Sequence, residues 1–318
     1  MSRVIILGLL TVSAAVLPAE RPELLAPAAG NDARVVHRWS LPGDPHGLAI
    51  GSDGTIYVGL AQPQSVVAIN PRTGAVRLRV VLDSAEIAST KELLTLRTNR
   101  ERTRLYVANG SDESATILTL PDLKVLREIT MEGEPIRDAL PDPKGRYLYL
   151  LGRHVHVLDA NGERELHTLD VDDPTAIAAN ATTLAVSNAD EVVSFDAATF
   201  GRATRTPVAL KGATTLVLTP NGTLIGMTSG VLVHGGTSTA ICLPEGSGPQ
   251  IAAIASDVLL FAERRCSSSG VVAGAASLYG VTAYAIAYDP ATQSLIATDR
   301  AGYLTIYKVP LPVVTRQP

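Results

Sequence analysis

The chain has 318 residues, with 26 glycines and 20 prolines; hydrophobic residues make up 46% of it and charged residues 18%. Many turn formers combined with many hydrophobic residues exclude intrinsic disorder and disfavour a long helical or coiled-coil protein. The formal net charge of −4, with no basic bias, gives no electrostatic reason to expect nucleic acid or an anionic membrane surface as a partner. The length permits two domains or one repetitive all-β domain.

The amino terminus has the order of a secretory signal peptide. Arg3 precedes an uncharged, mostly apolar run at residues 4–17, which is shorter than the roughly 20 helical residues that span a bilayer. Ala15 and Ala19 offer two cleavage positions. We therefore expect residues 1–19 to be a signal peptide and the mature protein to be periplasmic or secreted, with no stable membrane insertion. The alternative is an uncleaved anchor.

Export would place the two cysteines in an oxidising compartment. Cys242 and Cys266 lie 24 positions apart, and in an oxidising compartment a disulfide is the default outcome. Two cysteines are too few for a structural zinc cluster without histidine partners. We expect a disulfide between Cys242 and Cys266, with free buried thiols as the alternative.

Short apolar or alternating runs, separated by Gly, Asn, Asp and Pro, recur along the chain and indicate many short strands. In the first copy of the pattern, residues 46–50, 55–59, 65–70 and 76–81 read as four strands joined by polar turns. The four runs lie in antiparallel order within about 40 residues, which is the length of one propeller blade.

The same order returns six more times. First strands begin near positions 46, 93, 136, 176, 214, 251 and 284, at intervals of 33 to 47 residues. A unit of this kind cannot bury both faces alone, so the units stack around an axis. We predict an all-β fold, a seven-bladed β-propeller of four-stranded antiparallel blades, with six or eight blades as alternatives. The sixth copy is the least regular after Cys266.

The seventh unit lacks its own fourth strand, because the chain after Lys308 is rich in proline. Residues 34–39, before the first copy, can supply that strand and remove an open sheet edge. The predicted organisation is therefore a linker at 20–32, a propeller at 33–310 that is closed by its N-terminal strand, and a C-terminal tail at 311–318.

A family resemblance follows from the second strands. The runs Leu105-Tyr106-Val107-Ala108-Asn109 and Ile56-Tyr57-Val58-Gly59, each after a polar turn, resemble the bacterial and archaeal propeller repeat named after its Tyr-Val-Thr-Asn (YVTN) tetrapeptide. The resemblance covers roughly residues 33 to 310 and implies an extracytoplasmic repeat protein that serves as a binding platform. Propellers host many unrelated activities, so the resemblance indicates fold more than function.

One face of a propeller carries the beginnings of the first strands and the turns between second and third strands, and ligands usually sit there. The predicted channel mouth on this face combines acidic, basic and polar side chains: Asp44, His46, Glu92, Arg137, Asp138, Gln250 and Tyr284. Such a set suits a small polar or anionic ligand, or a hard cation held by the carboxylates. Alternatively, the charges satisfy one another in a solvated channel.

His154 and His156 lie two apart on a predicted third strand and therefore on one face of it. Such a pair could supply two metal ligands. Neither a carboxylate nor a third histidine accompanies it at an obvious spacing, so an ordinary half-exposed strand face is favoured.

Motifs for catalysis are weak. The sequence has no Gly-x-Ser-x-Gly elbow and no phosphate-binding glycine loop in a strand-to-helix setting. The leading hypothesis is an exported, non-catalytic, monomeric propeller, without cofactor, that binds a protein or a small polar ligand through its channel face.

Two other functions stay open. One is a metal-dependent hydrolase resembling lactonase or gluconolactonase propellers, with a divalent ion in the channel held by Asp44, Glu92 and Asp138. The other is an accessory propeller in an electron-transfer assembly.

Overall fold

A computed structural model of the chain describes residues 34–82, 94–110, 113–207, 215–218, 224–228, 231–234, 237–240, 251–255, 258–263, 275–279, 285–299 and 301–308. Every regular element in these ranges is a β-strand, which confirms the predicted all-β class. No helix in this part of the chain is long and apolar enough to cross a membrane. The predicted signal peptide, the predicted tail and both cysteines lie outside the described residues.

The N-terminal strand is β1 (Arg34–Ser40), and three sheets of four consecutive antiparallel strands follow it. Sheet 1 contains β2 (Pro45–Ile50), β3 (Ile56–Ala61), β4 (Gln64–Ile69) and β5 (Val76–Val81). Sheet 2 contains β6 (Leu94–Thr98), β7 (Arg104–Asn109), β8 (Ser114–Thr119) and β9 (Val125–Thr130). Sheet 3 contains β10 (Asp138–Pro141), β11 (Tyr147–Leu151), β12 (Val155–Asp159) and β13 (Glu165–Leu169).

Four more sheets follow in the described residues. Sheet 4 contains β14 (Ala176–Ala179), β15 (Thr183–Ser187), β16 (Glu191–Asp196) and β17 (Arg202–Pro207). Sheet 5 contains β18 (Thr215–Leu218), β19 (Leu224–Thr228), β20 (Val231–His234) and β21 (Thr237–Ala240). Sheet 6 contains β22 (Ile251–Ala255), β23 (Val258–Glu263) and β24 (Ala275–Tyr279). Sheet 7 contains β25 (Ala285–Asp289), β26 (Ser294–Thr298), β27 (Tyr303–Lys308) and the N-terminal strand β1.

Sheet 6 differs from the predicted four-stranded antiparallel unit. Its three described strands include a parallel pair, β23 with β24. Residues 264–274 separate these two strands, which is close to the dozen or so residues that a parallel connection needs. The irregularity falls in the copy that has the weakest pattern in the sequence.

The N-terminal strand joins the last sheet. β1 pairs antiparallel with β27, from Arg34 opposite Lys308 to Ser40 opposite Tyr303. Consecutive sheets contact one another through their first strands, and β25 of sheet 7 contacts β2 of sheet 1. The described residues thus contain seven sheets whose contacts return to the start, while the blade number and closure of the whole ring stay predictions.

The hydrophobic core lies between neighbouring sheets. One cluster joins Trp39 and Leu304 of sheet 7 to Ile56 of sheet 1, and three further clusters join sheets 1 to 2, 2 to 3 and 3 to 4. The first strand of sheet 1, β2, is buried along its whole length, whereas the outer β5 is largely exposed. A Cβ on Gly74, whose φ is +70°, would lie 2.3 Å from Cδ1 of Trp39, so the turn before β5 needs glycine to cover this core.

A bulge recurs in the outer hairpin of each of the first four sheets. The register between third and fourth strands skips one residue, at Arg77, Leu126, Leu166 and Ala203. Because side chains alternate between the two faces of a strand, each bulge changes which residues of the fourth strand share a face with the third. In sheet 3 this shift shapes a polar cluster.

Candidate functional site

The polar residues of interest gather at one end of the sheets. In sheet 3, Leu151 at the end of β11 pairs with Asp138 at the start of β10 and with Val155 at the start of β12. First and third strands therefore begin at the same end. We call this end the upper face.

Asp44 and His46 lie at the upper face of sheet 1. His46 is 2% exposed, and its Nε2 lies 3.2 Å from Oδ2 of Asp44, which is itself 44% exposed. The hydroxyl of Thr298 in β26 donates a 2.9 Å hydrogen bond to the backbone carbonyl of His46. The buried imidazole thus lies at the contact between sheets 1 and 7, and Asp44 is the member of the pair that faces solvent.

Asp138 begins the first strand of sheet 3, and Arg137 immediately precedes it. The Asp138 carboxylate accepts hydrogen bonds from Arg97 of β6, at 3.2 Å from Nε and 2.8 Å from a terminal nitrogen. It also accepts one from the backbone N–H of Ala139 at 2.9 Å. The neighbouring carboxylate raises the pKa of Arg97. Arg137 instead donates to the backbone carbonyl of Gly152, in the turn between β11 and β12.

The predicted channel ligands are therefore brought together only in part. Asp44 contacts His46, and Asp138 contacts Arg97, so these two carboxylates of the predicted metal set have different partners. Glu92, the third member, lies outside the described residues. Gln250, Tyr284, Cys242 and Cys266 also lie outside them, and their predicted roles stay predictions.

A second polar cluster, which we call the histidine cluster, lies at the upper face between sheets 2 and 3. Its members are Glu134 before β10, His154 in the turn before β12, His156 in β12 and Glu165 in β13. His156 Nε2 lies 3.1 Å from Glu134 Oε2, and its Nδ1 lies 2.8 Å from Glu165 Oε1. His154 Nδ1 lies 3.7 Å from Glu134 Oε1, which accepts the backbone N–H of His154 at 2.8 Å.

Hydrogen bonds hold both carboxylates ionised. Burial opposes the charge on Glu134, but the His154 N–H and the His156 ring hold its pKa below the ordinary value. Burial likewise opposes the charge on Glu165, whose pKa is lowered by the Thr168 hydroxyl and by His156. The cluster therefore presents two carboxylates around one buried imidazole.

Gly152 leaves room for this arrangement. A Cβ at this position would lie 2.4 Å from Oε1 of Glu134, far inside van der Waals contact. The carboxylate thus occupies the space that any other residue would fill. With Arg137 bound to the Gly152 carbonyl, the turn is held against Glu134.

The structure corrects the interpretation of His154 and His156 as an ordinary strand face without carboxylate partners. β12 begins at Val155, so His154 belongs to the preceding turn and is exposed, whereas His156 is buried. Glu134 is 20 residues before His154, and Glu165 reaches His156 through the bulge in β13. Sequence spacing does not reveal partners that a sheet contact and a bulge bring together.

A groove of about 410 Å³ lies at the upper face between sheets 1 and 2. Its lining is mostly polar and consists of Gln64, Leu82, Val107, Asn109, Glu113, Ser114, Thr116, Glu128 and Thr130. Glu113 and Glu128 are exposed, and these lining residues include no lysine or arginine. The groove is therefore acidic, a feature that the sequence analysis did not find.

Comparisons with known proteins agree on the fold. The chain is similar to the Cps50 (Swd1) β-propeller domain of Myceliophteria thermophila, with a TM-score of 0.65 and 16% identity over 87% of this chain and 100% of that one. It is also similar to virginiamycin B lyase from Staphylococcus aureus, with a TM-score of 0.65 and 12% identity over 86% of this chain and 99% of that one.

The chain is a β-propeller. At identities of 16% and 12% the two likenesses show the fold alone. No family model matches the chain, and no curated protein matches it. The resemblance of this propeller to the YVTN repeat family stays a prediction.

Proposed function

We propose that this propeller is an exported monomer that binds a protein partner through its upper face and catalyses no reaction. The acidic groove between sheets 1 and 2 carries the proposal: it has a volume of about 410 Å³ and is lined by Glu113 and Glu128 without a basic residue in the lining. A lysine or arginine of a partner complements such a groove, because opposite charges steer association and select partners.

Two further observations support binding over catalysis. The Asp138 carboxylate is bound by Arg97 through both of its oxygen atoms, so this part of the channel mouth compensates its own charge. The groove offers carboxylates, hydroxyls and amides, which recognise a partner by hydrogen bonds.

Export is proposed from Arg3 and the apolar run at residues 4–17, and it predicts a mature N-terminus at Val16 or Glu20.

Site-specific photocrosslinking tests the proposal in the cells that make the protein. A photoreactive residue replaces Thr130, which lines the groove, or Lys124, which is exposed at the opposite end of sheet 2. We expect an adduct with a discrete protein in the extracytoplasmic fraction from position 130 and none from position 124. Equal labelling from both positions, or no adduct from either, contradicts binding at the groove.

Charge reversal in the groove tests whether its carboxylates are required for partner binding. Glu113→Lys with Glu128→Lys should abolish the adduct from position 130. The matched control is Glu101→Lys with Glu163→Lys, the same charge change on exposed carboxylates in turns at the opposite end of sheets 2 and 3. An adduct that survives the first pair, or that is lost equally in both pairs, overturns the proposal.

A further inference from the structure

We propose that the histidine cluster between sheets 2 and 3 is a zinc site, in which Glu134, His154 and His156 bind the ion and Glu165 orients His156. This inference rests on different residues from the acidic groove and stands apart from partner binding. It also differs from the channel metal set expected from the sequence, since it shares no ligand with that set.

The donor atoms have the spacing of a zinc site. One ligand atom from each of Glu134, His154 and His156 lies within 4.8 Å of the other two. His156 Nε2 lies 3.1 Å from Glu134 Oε2, and His154 Nδ1 lies 3.7 Å from Glu134 Oε1. Ligand bonds of about 2.0–2.2 Å in tetrahedral geometry place neighbouring donors about 3.3–3.6 Å apart. Small side-chain rotations therefore suffice to close the site.

The second ring nitrogen of His156, Nδ1, already has a carboxylate partner. Its Nδ1 lies 2.8 Å from Glu165 Oε1, and Glu165 accepts the Thr168 hydroxyl at 2.5 Å. A histidine that binds zinc usually donates its other ring N–H to a carboxylate or carbonyl, which fixes the ring and strengthens the ligand. With Nδ1 donating to Glu165, the Nε2 lone pair is directed to the side where Glu134 and His154 lie.

Burial and charge favour a cation here. The His156 and Glu134 side chains are 9% and 14% exposed, while His154 is 53% exposed. A neutral imidazole donates only one hydrogen bond, yet both nitrogens of His156 face a carboxylate oxygen. A cation beside Nε2 satisfies the second carboxylate, and the competing occupant of that position is a proton.

The donor set selects the class of metal. Two imidazoles and one carboxylate suit zinc, whereas Ca²⁺ and Mg²⁺ prefer oxygen ligands. Three protein ligands leave the fourth position of a tetrahedral ion for water or for an external group. Because Glu134 lies between β9 and β10 and His154 lies between β11 and β12, the ion would also tie the connection between sheets 2 and 3 to the upper turn of sheet 3.

Calorimetric titration of the tag-free, chelator-treated full chain with Zn²⁺ tests the site. We expect one equivalent of Zn²⁺ to bind, with much weaker binding of Ca²⁺ and Mg²⁺, and a rise in the thermal midpoint. His154→Ala and His156→Ala should each abolish stoichiometric binding, and Glu165→Gln should weaken it by about 10- to 100-fold. Circular dichroism of each variant without metal verifies folding.

His167→Ala is the matched control. This histidine lies in β13 of the same sheet and stacks on Phe200 at 5.6 Å, outside the cluster. Its removal should leave zinc binding unchanged. If His156→Ala fails to fold, the site is tested with His154→Ala, a change at an exposed position, and with the conservative Glu134→Gln variant. No zinc binding, equal loss in His167→Ala, unchanged binding in His154→Ala, or equal affinity for Ca²⁺ overturns the proposal.

Discussion

Two polar groups at the junction of sheets 2 and 3 differ in how their charges are compensated. The Arg97–Asp138 pair joins sheets 2 and 3 through two hydrogen bonds between one cation and one carboxylate. The histidine cluster, at the same junction, places two carboxylates on the two nitrogens of His156. The pair compensates its own charge, whereas the cluster keeps acceptor atoms directed at a common point. The first group is therefore a compensated ion pair, whereas the second has the donor atoms that the proposed zinc site requires.

The largest expected effect is the loss of the compensated pair. Asp138→Ala removes the partner of Arg97, and Asp138 is buried with a 9% exposed side chain. We expect the free energy of unfolding to fall by about 2 kcal/mol, because hydrogen bonds to charged groups contribute roughly 1.5–3 kcal/mol and Arg97 retains some access to water. Urea denaturation measures the change.

The double variant Arg97→Met with Asp138→Leu is the control for this result. Removing both charges should restore much of the stability, because no unpaired charge is left behind. A double variant as unstable as Asp138→Ala would show that the pair stabilises the protein through packing at the upper face and not through charge compensation.

A smaller effect is expected at Glu134. Without metal, Glu134→Gln should lower the free energy of unfolding by about 1 kcal/mol or less, since an amide oxygen still accepts the His154 N–H and one carboxylate charge near Glu165 is removed. The same urea experiment compares it with Asp138→Ala. A loss at Glu134 as large as that at Asp138 would contradict the distinction between the two groups.

Gly152→Ala tests the space that the cluster needs. The added Cβ would lie 2.4 Å from the Glu134 carboxylate, whose side chain can move, so we expect a cost of about 1 kcal/mol. The cost should vanish when Glu134 is also replaced by Ala, because the clash is then absent. A double-mutant cycle measures this coupling, and additive effects would place the strain elsewhere than on Glu134.

Local and non-local features differ in what the sequence predicts. The turn at residues 142–145 forms from neighbouring residues, and the amide of Gly145 donates to the Asp142 carbonyl at 2.8 Å. Repeats of such turns were enough to predict the strands and the propeller class. Sheet 6 was predicted less well, because successive short runs joined by turns predict antiparallel neighbours, whereas β23 and β24 pair in parallel.

The histidine cluster shows why the site was harder to predict than the fold. Strict alternation from Thr168 in β13 places Leu166 on the face shared with His156, but the bulge skips Leu166 and puts Glu165 there instead. Leu166 becomes 40% exposed as a result. Glu134 reaches the cluster from the preceding sheet connection, so its spacing in the chain carries no signal. The acidic groove between sheets 1 and 2 likewise exists only after two sheets pack.

The smallest effect is expected for an exposed pair that joins the same two sheets at their opposite end. Arg127 in β9 contacts Glu163 at 2.7 Å, with side chains 37% and 56% exposed. Water screens both charges, so Glu163→Ala should change the free energy of unfolding by less than about 0.5 kcal/mol, and added salt should reduce even that. Urea denaturation at low and high salt measures it beside Asp138→Ala. Both pairs place an arginine of sheet 2 against a carboxylate of sheet 3 or of one of its turns. Equal losses of unfolding free energy in Glu163→Ala and Asp138→Ala would therefore mean that the burial of Asp138 does not strengthen its ion pair.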